Sequence, residues 1–264
     1  MKKLLTWVCG CLAATVAHAQ LVAYEPFNYS VTDDLQGQNG GVGFASPWTD
    51  NALTTIVTGG SLGYANLTTS GNSVNTGATT EYYRMLSTSL AGPGSVAWIS
   101  AVIRAEDDAT GAYGGIYYGS FGLAQEIGLG NTTGSGLSFV TGIAGSVLSP
   151  ISPASVGTNY FLVGEFLFTD SISGLLALYV NPPPGQVAPS TSPIYTGPFQ
   201  INGSNLLGIY SIGANVSVDE IRIGTDYTQV SPATAVPEPG AWALLAGLAT
   251  LGLATLRRRS TVGP

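Results

Sequence analysis

The chain reads as an all-β protein, a two-sheet antiparallel β-sandwich set between two apolar terminal segments. Three observations predict this. Gly, Ser, Thr and Asn are abundant, and few stretches repeat apolar residues at the helical period. Turn residues recur at short intervals, and apolar residues gather in short runs between them.

Residues 1–19 come first. Lys2 and Lys3 precede an apolar stretch over 4–16, and Ala17-His18-Ala19 is a small-residue cleavage site before Gln20. This is the pattern of a secretory signal peptide, an N-terminal signal helix cut between Ala19 and Gln20. A lipoprotein signal at Cys11 would leave the apolar region too short. Both cysteines (Cys9, Cys11), the one histidine (His18) and both lysines lie in this segment. The remainder therefore has no disulfide framework, no thiolate or imidazole metal ligand, no Ser-His-Asp or Cys-His nucleophile and no Schiff-base lysine. No cofactor and no metal ion are expected.

Between Gln20 and Val236, the three arginines Arg84, Arg104 and Arg222 face fourteen carboxylates, a net charge of −11. Phosphate backbones need clustered positive charge, so nucleic acid is excluded as a partner. Polyanionic glycans are disfavoured for the same reason.

Residues 20–230 are long enough for one core and contain no linker. Strands are predicted at 62–67, 80–86, 95–104, 115–123, 137–141, 160–168, 175–180, 206–212 and 216–223. The runs 95–104 and 160–168 are apolar at both parities, as expected of central strands covered on both faces; Glu165 is the exception. Val216 and Val218 fall out of phase with Ile221 and Ile223, which predicts a bulge near Asp219-Glu220. Pro182-Pro183-Pro184-Gly185 opens a stiff exposed loop running to Pro198.

Within this domain the acids nearest strand centres are Glu165, Asp219 and Glu220. The expected roles are a hydrogen-bonded structural acid at 165, and bulge acids that pair with Arg222 or cap backbone N–H groups. No Glu-x-Asp-x-Glu triplet places three acids on one strand face, so no catalytic residue is assigned and the chain is read as a non-enzyme. Asp33-Asp34 and Glu106-Asp107-Asp108 lack the spacing of a calcium loop and read as solvated loop acids. Trp48, Tyr82, Tyr83, Tyr117 and Tyr118, with Tyr113, are the candidates for glycan contact. Alternation must turn one tyrosine of each adjacent pair outward.

Residues 231–240 form a Pro-containing spacer ending in Val236-Pro237-Glu238-Pro239-Gly240, and 241–259 hold an uncharged run followed by Arg257-Arg258-Arg259. The sixteen residues 241–256 make roughly 24 Å of helix, short of the roughly 30 Å hydrocarbon core. A transmembrane helix of this length is marginal, with Trp242 at one interface and the arginines snorkelling at the other. The arginines act as a stop-transfer cluster on the inside, which leaves Pro237-Glu238-Pro239 outside, within reach of a membrane enzyme.

The Val236-Pro237-Glu238-Pro239 motif, short apolar helix and terminal Arg cluster resemble the PEP-CTERM sorting signal of exopolysaccharide-producing Gram-negative bacteria. That resemblance implies recognition by an exosortase, a membrane cysteine protease or transpeptidase, and removal of the tail. A second resemblance covers the middle of the chain. Tyr24-Glu25-Pro26-Phe27-Asn28-Tyr29, the Gly40-Gly41-Val42-Gly43-Phe44 to Trp48 stretch, Leu178-Tyr179-Val180-Asn181-Pro182 and Val218-Asp219-Glu220-Ile221-Arg222-Ile223-Gly224 resemble concanavalin A-like, laminin-G-like jelly rolls of exported bacterial proteins. It implies two antiparallel sheets of about six or seven strands, with the first and last segments close together.

Such folds host lectins, adhesins and glycanases, so fold does not choose function. The expected protein is exported, held briefly in the inner membrane, then delivered to the cell surface or extracellular matrix. Its expected role is non-catalytic: structural, adhesive or associated with extracellular polysaccharide. The alternative is a glycan-active hydrolase or lyase. Two carboxylates about 5 to 9.5 Å apart in a groove would favour the enzyme, and a Tyr/Trp-lined groove without them would favour binding.

The tail gives the first prediction. Glu238→Ala should leave export intact and stop tail removal, so that uncut protein collects in the inner membrane of a host carrying the exosortase. Mass spectrometry of surface-released protein is the measurement, and a released chain that retains Arg257 to Arg259 would overturn the sorting assignment.

Overall fold

The computed structural model describes residues 21–233, apart from 51–54, 78, 121, 123 and 144–148. The cleavage residues Ala17, Ala19 and Gln20, the motif Val236, Pro237, Glu238 and Pro239, the apolar run and Arg257, Arg258 and Arg259 lie outside the described residues. Among those described, no helix is long and apolar enough to cross a membrane.

Two antiparallel sheets form a sandwich, as the sequence predicts. The first runs β13 (Tyr195–Gln200), β12 (Ser173–Val180), β11 (Tyr160–Phe168), β6 (Val96–Ala105), β15 (Val216–Gly224), β4 (Ser73–Asn75) and β3 (Ile56–Thr58). Here β1 (Leu21–Glu25) also pairs with β15, which brings the first and last strands together. The second runs β10 (Ser149–Pro153), β9 (Ser138–Ile143), β8 (Gln125–Gly130), β7 (Tyr113–Tyr118), β14 (Leu206–Ile212), β5 (Thr79–Met85) and β2 (Thr49–Asp50). The short helix α1 (Tyr227–Val230) follows β15, capped by the Asp226 side chain, which accepts from the Thr228 N–H.

Period-two alternation builds the core. In β5, Thr80, Tyr82 and Arg84 are buried between the sheets while Glu81, Tyr83 and Met85 point outward. Ile99, Ile103, Leu162 and Phe166 of the first sheet share one cluster with Ile116, Ile127, Leu207 and Ile209 of the second. The two runs that are apolar at both parities, β6 and β11, are central and covered on both faces. Outward-facing Trp98, Val102, Phe161 and Val163 pack under Leu62, Leu67, Tyr227 and Val230.

That cover corrects the strand predicted at 62–67. The segment is irregular, with Ala65 at φ +39°, and its apolar side chains lie down on the first sheet instead of alternating. Tyr64 stacks on Phe161 at 5.5 Å. The predicted strand 115–123 begins earlier, at Tyr113, and ends at Tyr118, and the one at 137–141 spans Ser138–Ile143. The bulge falls where expected. The β15–β6 register shifts between Asp219 and Arg222, and Glu220 takes φ +55°.

The edges of the sheets are distinctive. β10 carries Pro150 and Pro153, β13 carries Pro198, and β2 and β3 are only two and three residues long. Ordered contacts continue past residue 230. Ser231 accepts from the Gly185 N–H at 2.6 Å, Pro232 accepts from the Thr68 N–H at 2.8 Å, and Ala233 bridges to Leu67.

A buried ion pair joins the sheets. Glu25 ends β1, and its carboxylate takes Arg84 Nη1 of β5 at 2.5 Å, Trp48 Nε1 at 3.0 Å, the Tyr29 hydroxyl at 2.9 Å and the Phe27 N–H at 3.0 Å. The remaining Arg84 donors go to the Gly40 and Ser46 carbonyls and to Asn39, and the guanidinium stacks 3.9 Å from the Phe44 ring centroid. Both side chains are at most 1 % exposed. Glu25→Ala should therefore cost about 3–5 kcal/mol by leaving a buried guanidinium uncompensated. Denaturant unfolding tests this: a loss of about 1 kcal/mol or less, the size expected of an exposed pair, would contradict it.

Candidate functional site

Strand alternation sorts the five aromatic residues singled out for glycan contact onto two faces. Trp48, Tyr82 and Tyr118 turn into the core, each at most 1 % exposed. Tyr82 donates to Asp34 at 2.7 Å, and Tyr118 meets Phe166 and Phe168 edge-on. Packed this way, they present no ring face to a ligand. Tyr83 and Tyr117 turn the other way, onto the outer face of the second sheet, beside Tyr113 and Tyr210.

Glycine sets the position of these rings. Gly208 of β14 lies opposite both Tyr83 of β5 and Tyr117 of β7, and a Cβ at Gly208 would collide with the Tyr117 ring. The bare backbone lets Tyr117 lie across β14 and donate to Glu81 of β5 at 2.9 Å. Tyr113 and Tyr210 pack with centroids 5.8 Å apart, and their hydroxyls are hydrogen-bonded to each other. Tyr83, at the rim, is partly exposed; Tyr113 and Tyr210 keep 7 % and 5 % of their surface.

Glu126 stands next to Tyr117 as its β8 partner. It is fully buried, and neither carboxyl oxygen has a hydrogen-bond partner among the described residues. Burial raises its pKa well above the carboxylate range, so Glu126 holds its proton to higher pH than an ordinary glutamate. The Tyr117 and Tyr210 phenols are raised too, first by burial and then by their acidic and phenolic neighbours, including Glu81 and Glu126. Glu81 and Glu126 are three strands apart, about 14 Å across the sheet at the backbone, with the Tyr117 ring between them. The face thus combines aromatic surface, phenol hydroxyls and carboxyl groups. Tyr117, at 1 % exposed, is as enclosed as Trp48 and Tyr118, so of the four rings on this face Tyr83 is the one that can meet the C–H face of a sugar.

The acids singled out from the sequence have structural partners. Glu165 accepts from the Tyr179 hydroxyl at 3.1 Å. Asp219 accepts from Ser61 Oγ at 2.5 Å, the Leu62 N–H at 2.7 Å and the Glu220 N–H at 2.7 Å, while burial pushes it up to about 8. Glu220 pairs with Arg222 at 2.5 Å and accepts from the Ser70 N–H and the Tyr24 hydroxyl; burial still raises it. The loop acids cap turns: Asp34 takes the Gln36 N–H, and Asp107 takes the Asn215 backbone and side-chain N–H groups. Among the described residues, no three His, Cys, Asp or Glu side chains gather as a metal site.

Glu81, Glu126 and Tyr210 were not singled out from the sequence. One signal was present: Glu126 is the only charged residue between Asp108 and Glu165.

The fold and site together define an antiparallel β-sandwich with a glycine-floored tyrosine face. No family model matches the chain, and no curated protein does. Among solved structures it is similar to domain 4 of AbnA, a GH43 extracellular arabinanase from Geobacillus stearothermophilus in complex with arabinotriose. The identity is 15 %, covering 81 % of this chain and 98 % of that one, with a TM-score of 0.48. It is also similar to the endo-β-1,4-glucuronan lyase of the fungus Trichoderma reesei (13 %, 82 % and 100 % coverage, TM-score 0.47). The globular domain of T. cruzi calreticulin is a third (10 %, 80 % and 90 %, TM-score 0.48). Likenesses of this size add no argument about the site.

The state of Glu126 can be tested through pH. A carboxyl whose folded pKa is raised binds more protons folded than unfolded, so its contribution to stability falls as pH rises past its ordinary value near 4.5. Wild type should thus lose stability relative to Glu126→Gln as pH rises from about 4.5, and the difference should be smallest near pH 4. Parallel unfolding free energies as pH rises would show that Glu126 is not the buried acid described.

Proposed function

We propose that this is an exported jelly-roll protein that associates with neutral glycan of the cell surface or extracellular matrix and catalyses no reaction. In this reading residues 1–19 direct export, and an exosortase acts at Val236, Pro237, Glu238 and Pro239 while the tail holds the chain briefly in the inner membrane. The pairing of β1 with β15 and the two-sheet antiparallel build support the jelly-roll assignment.

The observation that carries the glycan reading is the outer face of the second sheet, where the partly exposed Tyr83 lies beside the enclosed Tyr113, Tyr117 and Tyr210 over glycine. Its ligand is a neutral glycan because this face offers carboxyl groups and no arginine. Arg84, Arg104 and Arg222 are each paired with a glutamate elsewhere. Glu81 and Glu126 start from backbones about 14 Å apart with the Tyr117 ring between them, unlike the roughly 5–9.5 Å pairs of glycosidases, and this favours binding over hydrolysis.

One observation favours the second reading, a glycan-active enzyme. Burial makes Glu126 hold its proton to higher pH than an ordinary glutamate, the direction a general acid requires. The two readings separate in one experiment on neutral polysaccharides. For the binding module, Tyr83→Ala should weaken retention about fivefold to tenfold with unchanged melting temperature, and no chain shortening should occur. Release of oligosaccharides that stops in Glu126→Gln would instead make this an enzyme, and unchanged retention in Tyr83→Ala would make the face packing alone.

A further inference from the structure

A cavity of about 400 Å³ opens on the outer face of the first sheet, on the side of the sandwich opposite the tyrosines. Its floor is laid by outward side chains of four strands: Thr58 of β3, Asn75 of β4, Ser217 of β15 and Arg104 of β6. Residues 59–62 form the rim. The volume falls in the range of about 300–1,000 Å³ that small-ligand sites occupy. Gly60 keeps the rim low: it sits at φ +90°, with no heavy atom within 4 Å of where a Cβ would stand.

Arg104 and Glu106 are the charged groups of the lining. Arg104 Nε and Nη2 both reach Glu106 Oε1, at 2.8 and 2.7 Å, and the Ser217 hydroxyl donates to that same oxygen. One carboxylate oxygen therefore takes all three contacts. Glu106 Oε2 and Arg104 Nη1 have no partner among the described residues, and the two side chains are 29 % and 33 % exposed. The pair presents an acceptor at Oε2 and, on the side of the guanidinium away from Oε1, a donor at Nη1, and its net charge is zero.

We infer that this cavity is a binding subsite for a single neutral sugar residue. Vicinal hydroxyls of one sugar can divide the two positions, one donating to Oε2 and the other accepting from Nη1. A uronate or sulfate would meet Glu106 as well as an arginine already matched by it. A metal ion would find one carboxylate. Leu62 is the single apolar side chain of the lining, so the cavity suits a polyol and not a lipid or an aromatic ligand. This site does not depend on the reading of the tyrosine face.

Saturation-transfer NMR on the full chain in detergent tests this, with methyl glucoside, methyl galactoside and methyl mannoside as probes and glucuronate as the charged comparator. Wild type should transfer saturation to at least one neutral glycoside and not to glucuronate. Arg104→Gln should weaken that signal about tenfold, the loss expected when a hydrogen bond to a charged group is removed. Glu106→Gln should gain binding of glucuronate, because the guanidinium is then unmatched. The Arg104→Gln comparison is repeated in a Tyr83→Ala background, where the same loss should appear, so that saturation received at the tyrosine face is separated from saturation received at this cavity. The inference is overturned if wild type binds none of the neutral probes, if wild type prefers glucuronate, or if Arg104→Gln melts as wild type does and keeps the full signal.

Discussion

The sandwich depends on one buried carboxylate. Glu25 is fully enclosed, and an enclosed carboxylate is tolerable only when donors surround it. Arg84 from the opposite sheet, an indole, a phenol and a backbone N–H supply them. Satisfying that group fixes where residues 26–48 run, although they contain no regular strand. Arg84 in turn needs carbonyls, and it takes those of Gly40 and Ser46. The same segment must press against β1, where Tyr24 and Val42 exchange backbone hydrogen bonds at 3.0 and 2.9 Å. Gly41 and Gly43 allow this with φ of +69° and +84°, where a Cβ would run into the β1 backbone. The opening motif and the glycine stretch noted in the sequence are thus two halves of one enclosure around an ion pair.

Much of this architecture was legible, and the parts that were not share a cause. Strands β11 and β14 match their predicted bounds because both are short, largely apolar runs flanked by turn residues. Strand β8, Gln-Glu-Ile-Gly-Leu-Gly, was missed because its outward positions Gly128 and Gly130 carry no side chain to alternate. Strands β10 and β13 were missed because proline reads as a strand breaker, which holds for a central strand and fails at an edge. The segment 62–67 was misread for the opposite reason: its apolar residues serve a sheet they do not belong to.

The candidate site shows the same division. Alternation correctly required one tyrosine of each adjacent pair to face outward, and Tyr83 and Tyr117 do. Which member of the pair turns out depends on register, and register is set by pairing between strands far apart in sequence. The meeting of Glu81 with Tyr117 spans β14 and exists only because Gly208 leaves room for the ring. No local pattern carries that information. The acids that were visible, Asp219 and Glu220, proved to be the bulge residues that hold Ser61, Leu62 and Ser70 against β15.

The prolines of the outermost strands bear on how this protein behaves in a crowd. An uncovered strand edge offers unpaired N–H and C=O groups, and a neighbouring molecule can anneal to it and seed a fibre. Pro150, Pro153 and Pro198 remove donors from the two long outer edges, while the opposite edges end in strands too short to template anything. Copies packed densely together would therefore touch through side chains and not through shared sheets. Any network they join has to be cross-linked by something other than the polypeptide backbone.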